Sequence, residues 1–343
     1  MIQAIWYAII KKYVDLVLFF YFKKRIIRGK ENIPKKGAVL LVSNHKNALI
    51  DPLIIATPMH RSIHFLTRAS AFKIGFVKWL LSTINMMPIY RMRDGKETLA
   101  RNEEIFNKCF DILAGHKCLL IFPEGTHDVR RLVRPLSKGF TRIVFGFLEK
   151  HPDTGLHIVP IGLNYTDATR FAESVSVVFG KPILADPFYR ENDIFNATND
   201  LKAEVSARLR ELTVHIEPEN YDDTLEKLGN VDFTDHEKVN KLIADIGTHN
   251  PDHEAKKPSL LWKALKALMT VNSLFPYLVY KKFEPKIKEP EFISTTKFAI
   301  GASAFPLFYI LQSLAVAHFF GIQTGLIYLA ASLVLALLVV KTK

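Results

Sequence analysis

His45 and Asp51 stand six positions apart in the segment His45-Lys46-Asn47-Ala48-Leu49-Ile50-Asp51, directly after an apolar run at 38–42. An imidazole and a carboxylate so placed can work as a pair. The neutral ring takes a proton from a substrate hydroxyl, and the carboxylate fixes the ring's tautomer and steadies the cation that forms. A second apolar run at 118–121 leads into Phe122-Pro123-Glu124-Gly125-Thr126. Together the two read as a site built on strand ends. No serine or cysteine stands in a nucleophile motif beside the pair, so the substrate itself is expected to attack.

On a continuous helix, residues six apart lie on roughly opposite faces, because each step turns about 100°. His45 and Asp51 therefore need an irregular loop, and Asp51-Pro52 reads as its end, since aspartate favours the N-cap and proline the first helical position. Two readings stay open. Asp51 caps the helix and His45 is a loop histidine, or Asp51 does both jobs, with one oxygen on helix N–H groups and the other on the imidazole.

The elements that must position this pair alternate between strand and helix. Strand patterns lie at 38–42, 63–67, 86–90, 118–122, 158–163 and 175–179, with helical patterns at 52–59, 72–84, 97–113, 139–150 and 197–214. This predicts an α/β fold over 29–217, a mixed sheet covered by helices, with ligands at the strand ends. Residues 1–28 carry Ile2, Ile5, Ile9, Val17 and Phe20 and close on Lys23, Lys24, Arg25 and Arg28. They read as an amphipathic helix lying in a membrane interface, with packing on the core as the alternative. Residues 218–292 form a polar, solvated appendage with one helix at 235–246, followed by an amphipathic stretch at 260–280 suited to lying on a membrane.

Residues 293–343 form the last unit. No Asp, Glu, Lys or Arg occurs from 298 to 340, which suffices for a hairpin of two spans of about 20 residues each. Lys297, Lys341 and Lys343 put both ends of that hairpin on one side, expected to be cytoplasmic and to be the side of the active site. A buried helical pair is the alternative. The net charge of +12 favours anionic partners, but a mean hydropathy of +0.10 fits anionic membrane lipids better than nucleic acid. Cys109 and Cys118 sit in apolar patterns without disulfide or ligand spacing, and the histidines are scattered, so no metal is expected.

The block Ser43-Asn44-His45 to Asp51-Pro52 resembles the first motif of the glycerolipid acyltransferases, the lysophosphatidate and glycerol-3-phosphate acyltransferase superfamily. Met87-Pro88-Ile89-Tyr90-Arg91 is similar to the second motif, Phe122-Pro123-Glu124-Gly125-Thr126 to the third and Val159-Pro160-Ile161 to the fourth. The resemblance implies transfer of a fatty acyl group from an acyl thioester, on CoA or acyl carrier protein and with no further cofactor, to a glycerol phosphate or lysophospholipid acceptor. It implies His45 as general base and Asp51 as its orienting partner. It further implies that Asn44, Glu124, Gly125 and Thr126 line the acceptor site, that Arg91 and Lys138 hold its phosphate, and that Pro160 shapes the donor side. Read without the resemblance, Glu124 is a loop carboxylate pairing with Arg130 or Arg131, and Lys138 is a solvated lysine.

Three departures bear on acceptor choice. Most members place the aspartate one position closer to the histidine, and the longer spacing belongs to a smaller branch that includes enzymes using glycerol 3-phosphate or dihydroxyacetone phosphate. Asn85 stands where the second motif often has glycine, a change tolerable because asparagine accepts left-handed backbone. His127 follows the third motif where arginine or serine is common. A phosphoesterase and a catalytically silent membrane tether are the readings from other classes.

Overall fold

The computed structural model describes residues 2–73, 75–90, 99–247 and 258–343. Its centre is a sheet of β1 (Lys24–Arg28), β2 (Ala38–Ser43), β3 (Ile63–Arg68), β4 (Met86–Ile89), β5 (Cys118–Ile121), β6 (Leu156–Tyr165), β7 (Ser174–Phe179) and β8 (Ile183–Leu184). The order is β1-β7-β6-β2-β5-β3-β4, with β8 paired to β6. Strands β4, β3, β5, β2 and β6 are mutually parallel, and β7 turns antiparallel against β6. The sheet is mixed, as the alternation predicts.

Every residue of β2 is buried, as expected of an inner strand covered on both faces. One face carries Leu40, Val42, Leu119 and Ile158 against α4 (Leu99–Ala114), α5 (Gly139–Lys150) and α6 (Ile194–Leu212). The other carries Val39, Leu41, Val159, Ile161 and Tyr165 against α1 (Ile2–Tyr21) and α2 (Ile50–Ala56), with Leu81 of α3 (Gly75–Thr83) packed at its margin. Asn85 adopts φ 62° in the turn before β4, as its residue type allows.

Two regions differ from expectation. Lys24–Arg28 is not the tail of an interfacial helix but an edge strand, paired residue by residue with β7 from Lys24↔Ser174 to Arg28↔Val178. Charge suits an edge strand, since half of its surface faces water. Helix α1 buries Leu18 and Tyr21 against the sheet while Ile5, Ile9, Leu16 and Phe19 stay exposed. Residues 218–247 are not a solvated appendage: α7 (Tyr221–Leu228) and α8 (His236–Ala244) close a small core of Val214, Ile216, Leu228, Phe233 and Val239. Phe233 lies under the Arg131 guanidinium at 3.5 Å.

The C-terminal helices form one unit. Helix α11 (Glu291–Phe320) and α12 (Ile322–Lys341) are each long and apolar enough to cross a membrane. Leu307, Leu311, Leu314, Phe319, Phe320 and Ile322 each expose more than half their surface, so the buried-pair alternative does not describe them. Helices α9 (Leu260–Asn272) and α10 (Leu274–Phe283) run beside this hairpin. Their turn is bonded into it: Asn272 accepts from Tyr328 at 2.6 Å and from Gln312 at 3.2 Å and donates to Ser332, while Ser273 pairs with Tyr309 at 2.7 Å. At the hairpin's ends, Lys297 donates to Thr169 O, Lys341 to Phe19 O and Phe22 O, and Lys343 pairs with Glu173. Both ends are thus fastened to the sheet domain.

Candidate active site

Strands β6, β2 and β5 are neighbours, so their C-terminal ends bring Tyr165, the segment after Ser43 and Phe122 together. Asn44 extends the ladder with its side chain, accepting from Leu163 N at 2.8 Å and donating to Leu163 O at 3.0 Å. The chain then leaves the sheet and returns as α2. His45 Nδ1 lies 2.8 Å from Asp51 Oδ2, which also accepts the N–H groups of Lys46 (2.6 Å) and Asn47 (2.7 Å). Asp51 Oδ1 accepts the Tyr165 hydroxyl at 2.6 Å. Four donors hold a carboxylate with no solvent exposure, so it has no freedom to turn. Burial beside that carboxylate pushes the Tyr165 phenol well above its usual range and keeps it a donor.

Facing an acceptor-only carboxylate, Nδ1 carries the ring proton and Nε2 keeps its lone pair. The His45 ring stacks on Phe122, centroids 3.9 Å apart and planes at 13°. Its side chain remains 14% exposed, against 0% for Asp51. The imidazole contact of the second reading is present, but Asp51 caps nothing in its own helix: Oδ2 reaches back to the loop and Oδ1 turns to Tyr165. The backbone enforces this, since the loop folds Lys46 N and Asn47 N toward the start of α2.

Phe122-Pro123-Glu124-Gly125 forms a β-turn closed by Gly125 N to Phe122 O at 3.1 Å. Proline second and glycine fourth suit such a turn, and the φ of 73° at Gly125 favours glycine. Glu124 turns inward. Its side chain is fully buried against Arg134, with contacts of 2.6 Å and 3.1 Å to the guanidinium. Arg134 also donates to both the hydroxyl and the carbonyl of Thr126. Lys46 closes the floor: it is buried and donates to Arg130 O and Leu132 O, and burial lowers its pKa to about 8.

Residues 24–164 match the family model described as Acyltransferase. This stretch, less than half of the chain, is similar to the acyltransferase family. Among curated proteins, the chain is 32% identical over 115 residues to glycerol-3-phosphate O-acyltransferase 1 of Saccharomyces cerevisiae, covering 32% of this chain and 15% of that one. It is 31% identical over 144 residues to the 1-acyl-sn-glycerol-3-phosphate acyltransferase of Borreliella burgdorferi, covering 42% and 52%. The chain thus spans about half or less of these relatives. A crystal structure of the 1-acyl-sn-glycerophosphate (LPA) acyltransferase of Thermotoga maritima aligns with a TM-score of 0.43 at 18% identity, covering 61% of this chain and 82% of that one.

Within the acyltransferase domain, His45 and Asp51 meet, but several residues expected at the acceptor do other work. Asn44 is fully buried with both amide atoms spent on Leu163, so it holds the loop rather than an acceptor. Glu124 and Thr126 are taken by Arg134, not by Arg130 or Arg131: Arg130 pairs with Asp128, and Arg131 donates to Tyr165 O and Thr166 O. Gly125 is exposed at the turn. Pro160 is buried inside β6 opposite Val42. Its carbonyl accepts from Gly180 N, and its missing N–H would point the same way, past the end of β7, where the ladder needs no donor. Lys138 is exposed at the start of α5, its ammonium 5.9 Å from the Phe195 ring centroid. Arg91 lies outside the described residues.

Tyr165, Phe122 and Arg134 were not legible as partners of the motifs. Tyr165 comes just after the fourth block, but only the β6–β2 register carries it to Asp51. Arg134 was one of several arginines after the third block, and only the fold selects it. Among the described residues, His127, Glu289 and Glu291 could share a cation, their ligand atoms lying within 4.8 Å of one another. They come from distant parts of the chain, so no spacing could show them.

The buried Glu124–Arg134 pair yields a stability prediction. Glu124→Ala leaves Arg134 without its carboxylate, a loss of about 3–5 kcal/mol for a buried pair broken on one side. Scanning calorimetry should show Tm falling by roughly 6–20 °C. An unchanged Tm with a raised acceptor KM would instead make Glu124 an acceptor ligand.

Proposed function

We propose that the chain is a membrane-bound O-acyltransferase that moves a fatty acyl group from an acyl thioester to a glycerol phosphate hydroxyl. The acceptor we favour is 1-acyl-sn-glycerol-3-phosphate, giving phosphatidate. The observation that carries this reading is the hydrogen bond from His45 Nδ1 to a carboxylate saturated by four donors, which leaves Nε2 to take the acceptor's proton. The deprotonating oxygen attacks the thioester carbonyl carbon. The tetrahedral intermediate collapses as the C–S bond breaks, and the thiolate takes the proton back from His45. Asp51 balances the imidazolium in between. A cysteine nucleophile is disfavoured, because burial pushes the Cys109 and Cys118 thiols up to about 12 and about 11.

A second acceptor reading, glycerol 3-phosphate or dihydroxyacetone phosphate, is favoured by the longer His-to-Asp spacing and by the likeness to the yeast glycerol-3-phosphate enzyme. One assay separates these readings from the other classes. Purified protein in detergent is given labelled acyl-CoA or acyl carrier protein thioester with each acceptor, and ester product, free thiol and free phosphate are followed. Ester with equimolar thiol supports acyl transfer. Free phosphate alone marks a phosphoesterase, and no product from any pair marks a tether.

The membrane setting rests on the exposed apolar surface of α11 and α12. Helix α11 is 30 residues long, roughly 45 Å, against a hydrocarbon core of about 30 Å. Its first turns lie on the sheet domain, and the remainder matches the bilayer. With both hairpin ends fastened to the domain, the active site faces the side where those ends emerge, which we take as the cytoplasm. Helices α9 and α10 then enter the same leaflet as a re-entrant pair instead of lying on the surface. Their broken backbone is tolerable there because the Asn272–Ser273 turn is bonded to α11 and α12. Cysteines introduced at Val271 and Leu274 should resist a membrane-impermeant maleimide from either side of sealed vesicles. Labelling from the domain side would return α9 to the surface, and labelling from the far side would make it a span.

A further inference from the structure

The first turns of α11 do more than lead into an anchor. Thr295 Oγ1 accepts the N–H of Leu49 at 3.1 Å and donates to Asn47 Oδ1 at 3.0 Å. Both partners lie in the loop between His45 and Asp51. Asn47 is fully buried, and its own N–H is one of the donors to Asp51 Oδ2, the oxygen that holds His45. Its side-chain amide also reaches Ala168 O at 3.0 Å. A continuous chain of hydrogen bonds therefore runs from Thr295 through Asn47 to Asp51 and His45.

The helix is locked where Thr295 needs it. Phe298 is buried against Tyr21, ring centroids 5.6 Å apart. Tyr21 donates to Ser294 O, and Lys297 donates to Thr169 O at 3.0 Å. Phe292 meets the ring of His127 edge-on at 5.0 Å, and His127 meets His45 in the same manner at 5.5 Å. The neighbouring Thr296 has the same side chain in the same turn, yet its hydroxyl bonds only back to Phe292 O within the helix. Two threonines side by side thus differ in whether they touch the loop.

We propose that Thr295 is a positioning residue for acyl transfer, its hydroxyl fixing the loop that aims Asp51 at His45, so that the apolar hairpin completes the active site as well as anchoring it. The loop has no regular secondary structure of its own, so its shape depends on side-chain bonds of this kind. Without the hydroxyl, the Leu49 N–H loses its acceptor, and Asn47 Oδ1 keeps only the long 3.4 Å contact from Ile50 N. The dyad then samples geometries off the reactive one. Displacement of a reacting group on the order of 1 Å is enough to cost about 10²-fold in rate.

This inference rests on His45 acting as the base of an acyltransferase, and its test has one arm that does not. The full chain in detergent is compared as wild type, Thr295→Val, Thr295→Ser and Thr296→Val. Thr295→Val, which keeps the shape and removes the hydroxyl, should lower kcat by about 10- to 100-fold with acceptor and thioester KM values within about twofold of wild type. Thr295→Ser should recover most of kcat, and Thr296→Val should match wild type. Independently of turnover, amide hydrogen exchange at 46–50 should speed up in Thr295→Val alone. Should Thr295→Val fail to fold, Thr295→Ala at reduced temperature carries the same expectations. Wild-type kcat with wild-type exchange at 46–50 in either hydroxyl-free variant overturns the proposal, as does equal loss of kcat in Thr296→Val. A wild-type protein that transfers no acyl group would overturn the functional reading, leaving the exchange arm to decide the loop contact.

Discussion

His45→Ala should lower acyl transfer by about 10²- to 10⁴-fold, the usual contribution of a general base, while the protein stays folded and membrane-bound. The geometry explains why rate and stability separate. The ring is partly exposed at the end of β2, so removing it opens the mouth of the site and not a core cavity. Asp51 keeps three donors after the change, from Lys46, Asn47 and Tyr165, and no buried charge is stranded. Phe122 loses a stacking partner, worth about 0.5–1.5 kcal/mol. Tm should therefore move by only a few degrees, roughly 2–4 °C per kcal/mol. The check is turnover with lysophosphatidate and acyl-CoA beside a thermal melt. Near-normal turnover in a well-folded His45→Ala protein would remove His45 from the mechanism and with it the reading of the site.

What could be read in the chain, and what could not, follows from how each feature is encoded. Strand β2 and its motif are local: an apolar run sets the strand, and the loop residues follow it directly. Strand β1 is not. Three of its five residues are basic, and only pairing with β7 makes Lys24–Arg28 a strand. Helix α9 shows the same limit in reverse. Its lysines and apolar residues match a surface-lying helix, yet the polar residues that decide its place, Asn272 and Ser273, find partners on α11 and α12. Motif residues carry a like ambiguity. Glu124 and Asn44 are motif positions whether they touch a substrate or hold the loop that does, and only burial distinguishes the two. Their saturated partners, Arg134 and Leu163, assign them to the scaffold. Of the two cations expected on the acceptor's phosphate, Lys138 sets its ammonium near the Phe195 ring, and Arg91 lies outside the described residues.

Asp51→Asn should cut kcat by about 10²-fold and, unlike loss of His45, should also cost stability. An asparagine oxygen in the place of Oδ2 can still accept from His45 Nδ1, Lys46 N and Asn47 N, so the tautomer and the loop survive. The charge that offsets the imidazolium does not, and the barrier to proton transfer rises. The asparagine amide must then face Tyr165, whose hydroxyl now donates to Asp51 Oδ1. Two donors meet there. The phenol turns to accept, and its own hydrogen is left buried without a partner, at about 1–3 kcal/mol. This clash makes a double-mutant cycle informative. Tyr165→Phe alone removes one of four donors from Asp51 and should lower kcat only a few-fold. In the Asp51→Asn background the same change removes the mismatched hydroxyl but also the amide's acceptor, so Tm should fall by less than it does for Tyr165→Phe alone, with a coupling of about 1–2 kcal/mol between contacting residues. The kcat loss should persist in the double variant, because the missing charge is not restored. Additive effects on Tm would show that the Tyr165–Asp51 bond is not made in solution. Wild-type turnover in Asp51→Asn would show that the imidazolium needs no carboxylate partner.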